Sequence, residues 1–114
     1  MKYMIILFGE ESGFDNMSED DVAKMMQAHE DFDTWCEANG VTVTSGEELT
    51  SSPNAMTFGA DGTETDGPFL EIKEQIGAYY VIEVDSLEKA KEAARRTPNY
   101  GHIELRPVVD HSKS

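Results

Sequence analysis

The sequence predicts one α+β domain in which strands and helices alternate along the chain. Its 114 residues suit a single hydrophobic core, because such cores commonly form in chains of roughly 100 to 150 residues. Hydrophobic residues make up 39% and charged residues 28% of the chain, a balance typical of a folded globular protein. Strand-like apolar runs are separated by stretches of helical period. We assign residues 1–110 to the domain and residues 111–114 to a frayed C-terminal tail.

The first strand is predicted at residues 2–8 (KYMIILF). Apolar side chains occupy both the odd and the even positions of this run, so both faces of the strand are apolar. This favours a strand that is central in its sheet or covered on both faces. A polar loop is expected after it. Ser18 and Asp21 then have the spacing of a capping box, with Asp in place of the usual Glu, so the first helix is predicted to begin there.

The first helix carries one apolar stripe that includes a histidine. Its members recur at helical spacing: Val22, Met25, Met26, His29, Phe32 and Cys36. Cys36, on this buried face, is predicted to be an unreactive structural thiol, because a buried thiol behaves as a small hydrophobic group. Asn39 and Gly40 tolerate the left-handed conformation and are expected to end the helix.

A second strand and a hairpin are predicted next. Residues 41–44 (VTVT) alternate and are β-branched, and the strand is expected to continue toward Leu49 after Gly46. Asp61 and Gly62 lie between two short β-compatible runs. This dipeptide favours a type I′ turn, whose twist matches that of a hairpin.

The most strand-like run of the chain follows a turn at residues 66–68 (DGP). Residues 79–84 (YYVIEV) combine aromatic and β-branched side chains, so this strand is expected to be central. Asp85 then precedes Glu88 by three residues. That spacing predicts a second helix with Asp85 as its N-cap.

The second helix has a narrow face of small residues, which permits close approach to a sheet. This face consists of Leu87, Ala90, Ala93 and Ala94. Arg95 and Arg96 complement the helix dipole, and Pro98 is expected to stop the helix. Residues 103–109 predict a last strand, and Pro107 restricts its far end to a sheet edge or a bulge.

The predicted order is therefore strand, helix, strand, hairpin, strand, helix, strand. This is the ferredoxin-like βαββαβ plan with a hairpin inserted in its middle. Both helices would cover the same face of the sheet. Since the two central strands have apolar residues on both alternations, the other face needs cover, and we expect a homodimer whose sheets pack face to face.

The charge of the chain argues against two classes of partner. With 23 acidic and 9 basic residues the formal net charge is −14 at pH 7, and such a surface repels nucleic acid and anionic membranes. The apolar run near the N-terminus is too short for a signal peptide or a membrane span, and the lone Cys36 cannot form an internal disulfide. We therefore expect a cytoplasmic protein.

The sequence predicts neither a metal nor a nucleotide cofactor. His29 and Asp33 have the i, i+4 spacing of helical metal ligands, with Glu30 beside them, but position 33 lacks the second histidine of a zinc-helix motif. His102 and His111 have no spacing that completes a site. The glycines of residues 59–67 lie in hairpin and turn contexts rather than in a phosphate-binding loop after a strand.

Residues 66–90 (DGPFLEIKEQIGAYYVIEVDSLEKA) resemble the hallmark of the YCII-related proteins, and of their subgroup named for the motif DGPFAETKE. Leu70 and Ile72 depart from the motif. Seven of its nine positions match: Asp66, Gly67, Pro68, Phe69, Glu71, Lys73 and Glu74. The Met-rich helix with a central histidine, the tyrosine strand and the closing residues 104–108 (ELRPV) are also similar to the subgroup.

The resemblance implies a ferredoxin-like domain that pairs into a dimeric α+β barrel, and a cleft in which His29 lies beside Asp66. A carboxylate that accepts from one imidazole nitrogen fixes the tautomer and raises the basicity of the other nitrogen. We therefore expect general acid/base chemistry, such as proton abstraction or elimination, on an unidentified small metabolite. Tyr79, Tyr80 and Arg106 are the candidate substrate-binding residues.

Purely structural interpretations of the same residues stay open. A histidine in an apolar stripe is often a core residue bonded to one carbonyl, and Asp before Gly-Pro commonly forms an Asx-turn. Tyrosine in a strand more often packs than binds a ligand. The alternative function is a non-catalytic ligand-binding or regulatory dimer, and a third hypothesis makes the dimer purely structural.

Overall fold

The computed structural model describes residues 1–112. Its helices and longer strands are β1 (Lys2–Glu10), α1 (Glu11–Asp15), α2 (Glu19–Ala38), β2 (Thr42–Glu48), β5 (Glu74–Glu83), α3 (Leu87–Arg96) and β6 (Gly101–Pro107). A 3₁₀ turn (Ser52–Asn54) and the short strands β3 (Met56–Phe58) and β4 (Glu64–Asp66) lie between β2 and β5. The predicted order of elements is confirmed, with α1 as an addition.

The main sheet has four antiparallel strands in the order β2-β5-β1-β6. The two runs predicted to be central, β1 and β5, are its inner strands, and β6 is an edge strand that ends at Pro107. This α+β topology is the ferredoxin-like plan, with β3 and β4 paired as a separate two-stranded sheet.

The sheet has one covered face and one open face. In β1 the side chains of Tyr3, Ile5 and Leu7 are buried, whereas those of Met4 and Ile6 between them are only partly buried. The buried set joins residues of both long helices in one core: Phe32 and Cys36 of α2, and Ala90 and Ala93 of α3. Because side chains of a strand alternate between faces, α2 and α3 cover the same face, as predicted.

The predicted polar loop after β1 contains the short helix α1. Glu10, at its N-cap, makes no side-chain capping hydrogen bond, so no capping signal marks this helix in the sequence. Its Phe14 ring packs edge-to-face on Tyr100, with centroids 5.5 Å apart, and also lies close to Gly9. A contact between residues distant in sequence therefore accompanies this helical turn.

Helix α2 begins and ends as predicted. Ser18 and Asp21 form the capping box, and the helix ends at Ala38, with Asn39 as its C-cap and Gly40 in the left-handed region at φ 75°. The predicted apolar stripe is buried only in its C-terminal half, since Phe32 is 2% exposed whereas Met26 is 58% exposed. Only the C-terminal half of the stripe joins the core.

The hairpin is confirmed, but the type I′ turn is wrong. Residues 59–63 separate β3 from β4 instead of two residues. A type I′ turn needs positive φ at both central residues, and within residues 1–112 only glycines have positive φ, here Gly62 at 89°. The Asp61 carboxylate instead accepts from the Thr63 backbone amide at 2.9 Å, which stabilises the longer loop.

The boundaries of the last helix and strand differ slightly from prediction. Ser86, not Asp85, caps α3, and its hydroxyl accepts from the Lys89 amide at 3.1 Å. Both residue types are good N-caps, so sequence alone did not separate them. Strand β6 begins two residues before the predicted range and ends two before its end.

The predicted C-terminal tail is described only as far as Ser112. Its backbone amide donates to the Asp110 carboxylate at 2.9 Å, and residues 113 and 114 lie outside the described part of the chain. None of the helices within residues 1–112 has both the length and the apolar character needed to cross a membrane.

Candidate functional site

A partly open cavity of about 210 Å³ lies on the helix side of the sheet. It is smaller than the roughly 300 to 1,000 Å³ of sites for drug-sized ligands, so it suits a small molecule. Its walls come from α1, α2, the ends of β1, β2 and β5, and the segment before β6. The apolar part of the wall includes Leu7, Phe14, Met25, Leu49, Ile76 and Tyr100.

His29 of α2 lines this cavity and is hydrogen-bonded through Nδ1 to the hydroxyl of Tyr80 in β5. Tyr80 points to the helix side because it pairs with Ile5 of β1, whose side chain is buried there. Gly46 of β2 lies opposite Tyr80, and a Cβ at this position would stand 2.7 Å from the Tyr80 ring. The glycine therefore makes room for the ring that bonds His29.

Burial keeps both partners of this hydrogen bond neutral near neutral pH. Desolvation lowers the pKa of His29 from 6.5, against smaller opposing effects of the Glu48 and Asp33 carboxylates. Desolvation also raises the pKa of Tyr80 to about 12. Since each charged form is disfavoured by burial, the pair consists of a neutral imidazole and a protonated phenol. Such an imidazole can accept a proton.

The polar part of the cavity wall includes three carboxylates. Glu11 and Asp15 of α1 and Glu48 at the end of β2 line it. The Glu11 carboxylate accepts from both the backbone amide and the hydroxyl of Ser52, which connects α1 to the loop after β2. Sequence analysis missed these residues. Their only signal was the general acidity of the chain.

Asp66 lies outside this cavity. It is the last residue of β4, pairs with Met56, and is exposed. The bend after it is held by two hydrogen bonds of Gly67, whose amide donates to Ala55 at 2.7 Å and whose carbonyl accepts from Thr57 at 2.8 Å. In the described single chain no hydrogen bond joins Asp66 to His29. Tyr80 is the hydrogen-bond partner of the imidazole instead.

The three residues predicted to bind substrate lie on two different faces. Tyr80 is at the cavity, whereas Tyr79 precedes it in β5 and faces the open side, opposite Ile6. Arg106 pairs with Met4 on the same open side and forms an ion pair with Glu104. Adjacent residues of a strand point to opposite faces, so Tyr79 and Tyr80 cannot line one pocket within a single chain.

The residues considered as metal ligands do not converge. His29 and Asp33 are one turn apart on α2, but no third potential ligand joins them. Throughout residues 1–112, no group of three or more His, Cys, Asp or Glu side chains has a geometry suited to a metal ion.

The fold and the cavity define the class of protein. The chain is a ferredoxin-like α+β protein with an inserted hairpin and a small cavity on the helix side that contains a histidine. Its sequence matches the YCII-related domain over residues 1–112. The protein belongs to the YCII-related family.

One relative is an uncharacterized protein of Rhizobium meliloti (strain 1021), to which the chain is 42% identical over 48 residues. The alignment covers 39% of this chain and 39% of that protein. The similarity therefore extends over less than half of either chain.

Proposed function

We propose that the protein catalyses general acid/base chemistry, such as proton abstraction or elimination, on a small metabolite bound in the cavity on the helix side of the sheet. His29 is the group that moves the proton. The observation that carries this proposal is an imidazole hydrogen-bonded to Tyr80 at the wall of a cavity of about 210 Å³. Burial lowers the pKa of His29, which favours the neutral form near neutral pH.

The hydrogen bond at Nδ1 decides what the other nitrogen can do. If Nδ1–H donates to the Tyr80 oxygen, Nε2 is a free base that can abstract a proton. If the Tyr80 hydroxyl donates to Nδ1, Nε2 carries the hydrogen and can donate to a ligand. When Nε2 abstracts a proton from the ligand, His29 becomes an imidazolium whose Nδ1–H stays bonded to the Tyr80 oxygen. Return of the Nε2 proton to the ligand restores the free base, so His29 can serve first as base and then as acid.

Asp66 enters the proposal through the family resemblance. Its carboxylate is exposed, and the bend that carries it is held by the hydrogen bonds of Gly67. We propose that Asp66 acts with His29 when the cavity is completed by a second copy of the chain or by ligand. An Asp66→Asn variant that keeps full activity would remove Asp66 from the mechanism and leave Tyr80 as the partner of His29.

A homodimer through the open face of the sheet is part of the proposal. This face carries Met4, Ile6 and Val81, whose side chains are partly exposed in the single chain. The single chain is also less compact than a typical domain, because its radius of gyration is 15.9 Å and a compact domain of about 100 residues has roughly 13 Å. Phe69, which follows β4, is 83% exposed. A second copy would cover such apolar surface.

Sedimentation in solution tests the dimer. The wild type is expected to sediment as a dimer, and Ile6→Glu, which places a carboxylate in the open face, as a monomer with unchanged far-ultraviolet circular dichroism. A wild type that stays monomeric at high concentration contradicts this part of the proposal.

We also propose a cytoplasmic location. Its support is the single cysteine, Cys36, which is a free buried thiol. A reduced thiol suits a compartment in which disulfides are rare. Localisation of a tagged full chain tests this statement.

Exchange of carbon-bound protons tests the catalytic proposal. The protein is incubated in D₂O with small carbonyl compounds of different charge, and NMR measures deuterium incorporation beside the carbonyl. His29→Gln is expected to lose roughly 10²- to 10⁴-fold of the enzyme-dependent rate. His102→Gln, at an exposed position on β6, is the matched control and should keep it. Equal rates in the wild type and His29→Gln would sink the proposal and favour a non-catalytic ligand-binding module.

A further inference from the structure

We infer that the His29 cavity selects small cationic ligands, an ammonium group carried on an apolar or aromatic body, and rejects anions of the same shape. This inference rests on the proposed function for the location of the site and deepens it by assigning the charge of the ligand. The cavity and its histidine define the site, and the carboxylates of its wall determine which charge enters.

The wall of the cavity has charge of one sign. Glu11, Asp15 and Glu48 contribute carboxylates, and none of the described residues that line the cavity is a lysine or an arginine. An anionic ligand would meet three groups of its own charge without a compensating cation. Charges a few ångströms apart at a protein surface interact more strongly than in bulk water, so the wall favours a cation over an anion.

The field of Glu48 reaches the groups that a ligand would contact. Desolvation is the largest effect on these groups, lowering the pKa of His29 and raising the pKa of Tyr80 and of Tyr100, and the Glu48 carboxylate adds a smaller effect that raises all three pKa values. Three ring-bearing side chains from α2, β5 and the segment before β6 therefore respond to the same charge. The Glu48 carboxylate is therefore placed to act on the charge of a ligand in the cavity.

Aromatic rings supply a second feature that suits a cation. Phe14 and Tyr100 meet edge-to-face, with an interplanar angle of 72°, and both line the cavity. The face of an aromatic ring attracts an ammonium group, while the apolar body of the ligand can pack on Leu7 and Ile76. An acidic wall beside aromatic rings is complementary to an organic ammonium ion.

The adjoining surface has the same balance of charge. A wider hollow shares Phe14, Met25 and Tyr100 with the cavity. Carboxylates outnumber cations on its walls, which carry Glu10, Asp21, Glu74 and Lys24. Together with the net charge of −14, this surface attracts cations toward the cavity and repels anions.

Three probes of matched shape test the inference: benzylamine, benzyl alcohol and benzoate. Each is titrated into ¹⁵N-labelled protein, and the amide signals of Gly9, Gly77 and Ala78, which line the cavity, report where it binds. Benzylamine is expected to shift these signals and to bind at least about tenfold more tightly than benzoate, with benzyl alcohol between them. Added salt should reduce the difference.

A matched pair of variants separates the cavity from the overall charge. Glu48→Gln is expected to weaken benzylamine roughly threefold to fivefold, the upper range for one solvent-reachable ion pair. Glu47→Gln removes the same charge from the neighbouring position of β2, which pairs with Tyr79 on the open face, and should leave the affinity unchanged. Benzoate binding as tightly as benzylamine, equal effects of the two variants, or no shift at the cavity with any probe overturns the inference.

These measurements detect binding without turnover, so their result does not depend on whether the protein is a catalyst. An ammonium preference seen alongside unchanged proton exchange in His29→Gln would uphold the charge inference and refute the catalysis. Proton exchange that depends on His29 but acts only on anionic carbonyl compounds would refute the charge inference and uphold the catalysis.

Discussion

The Nδ1 atom of His29 on α2 is hydrogen-bonded to the hydroxyl of Tyr80 on β5, across 51 positions of sequence. The two rings have centroids 5.8 Å apart, and Phe32, one helical turn after His29, packs on Tyr80 with centroids 5.0 Å apart. Because Phe32 is buried in the core, this packing fixes the position of the phenol. The helix and the central strand thus hold an imidazole and a phenol together at the cavity.

The titration of His29 follows from its burial and its neighbours. We expect its imidazole signals to titrate below 6.5 in the wild type, because desolvation is the largest effect on this pKa. Glu48→Gln removes a carboxylate that raises the pKa, so the titration should move to still lower pH. Glu47→Gln is the control for net charge. NMR titration of the ring protons measures the pKa, and a midpoint above 6.5 would contradict the burial of His29.

The free energy of unfolding is expected to depend on pH through His29. The folded-state pKa lies below 6.5, so between the two values the unfolded chain binds more protons than the folded chain. The contribution of His29 to stability is complete above pH 6.5 and decreases as the pH falls toward the lowered pKa. Urea denaturation should therefore give a smaller pH dependence for His29→Gln than for wild type. An identical pH dependence, with His102→Gln as control, would show that His29 does not titrate differently on folding.

Gly46→Ala is expected to displace Tyr80. Its Cβ would stand 2.7 Å from the Tyr80 ring and 3.1 Å from the Tyr79 carbonyl oxygen, so the ring must move. We expect a loss of about 1 to 3 kcal/mol in the free energy of unfolding, typical of overpacking, and a shifted His29 pKa. Gly77→Ala in β5 meets no atom within 4 Å and should be neutral or stabilising. Chemical denaturation measures both variants, and equal effects would contradict the tight fit at Gly46.

Cys36 is expected to resist thiol reagents until the protein unfolds. Burial raises its pKa to about 11 from an ordinary 9.0, and this difference of about 2 pH units lowers the thiolate fraction at neutral pH about a hundredfold. Its side chain is also 1% exposed. Modification followed by absorbance should be slow in the native state and fast in denaturant. Rapid modification under native conditions would show that α2 opens readily.

Local signals predicted the secondary structure well. The capping box of Ser18 and the left-handed Gly40 depend on residues within a few positions of each other, and the inner strands were identified by apolar side chains on both alternations. The misplaced boundaries have the same origin. Asp85 and Ser86 are both suitable caps, and α1 has no capping signal but contains Phe14, which packs on the distant Tyr100.

The candidate site was predicted less completely. His29 was identified as a site residue from the family resemblance, and Tyr80 was a candidate from its strand, but nothing local indicated that the two residues meet. Asp66, expected beside His29, lies on the hairpin outside the cavity, and Glu48, which lines the cavity, was not singled out. Such neighbours depend on the register between strands and on the placement of the helix over the sheet.

The sequence by itself determined the order of the helices and strands, the hydrophobic period of each element and the face that each element buries. Hydrophobic spacing and backbone preference act over a few residues. Only the tertiary structure decided that the partner of His29 in the single chain is Tyr80, that Tyr79 and Arg106 face away from them, and that three carboxylates line the cavity. Strand register and helix packing set these distances, and both arise from contacts between segments far apart in the chain.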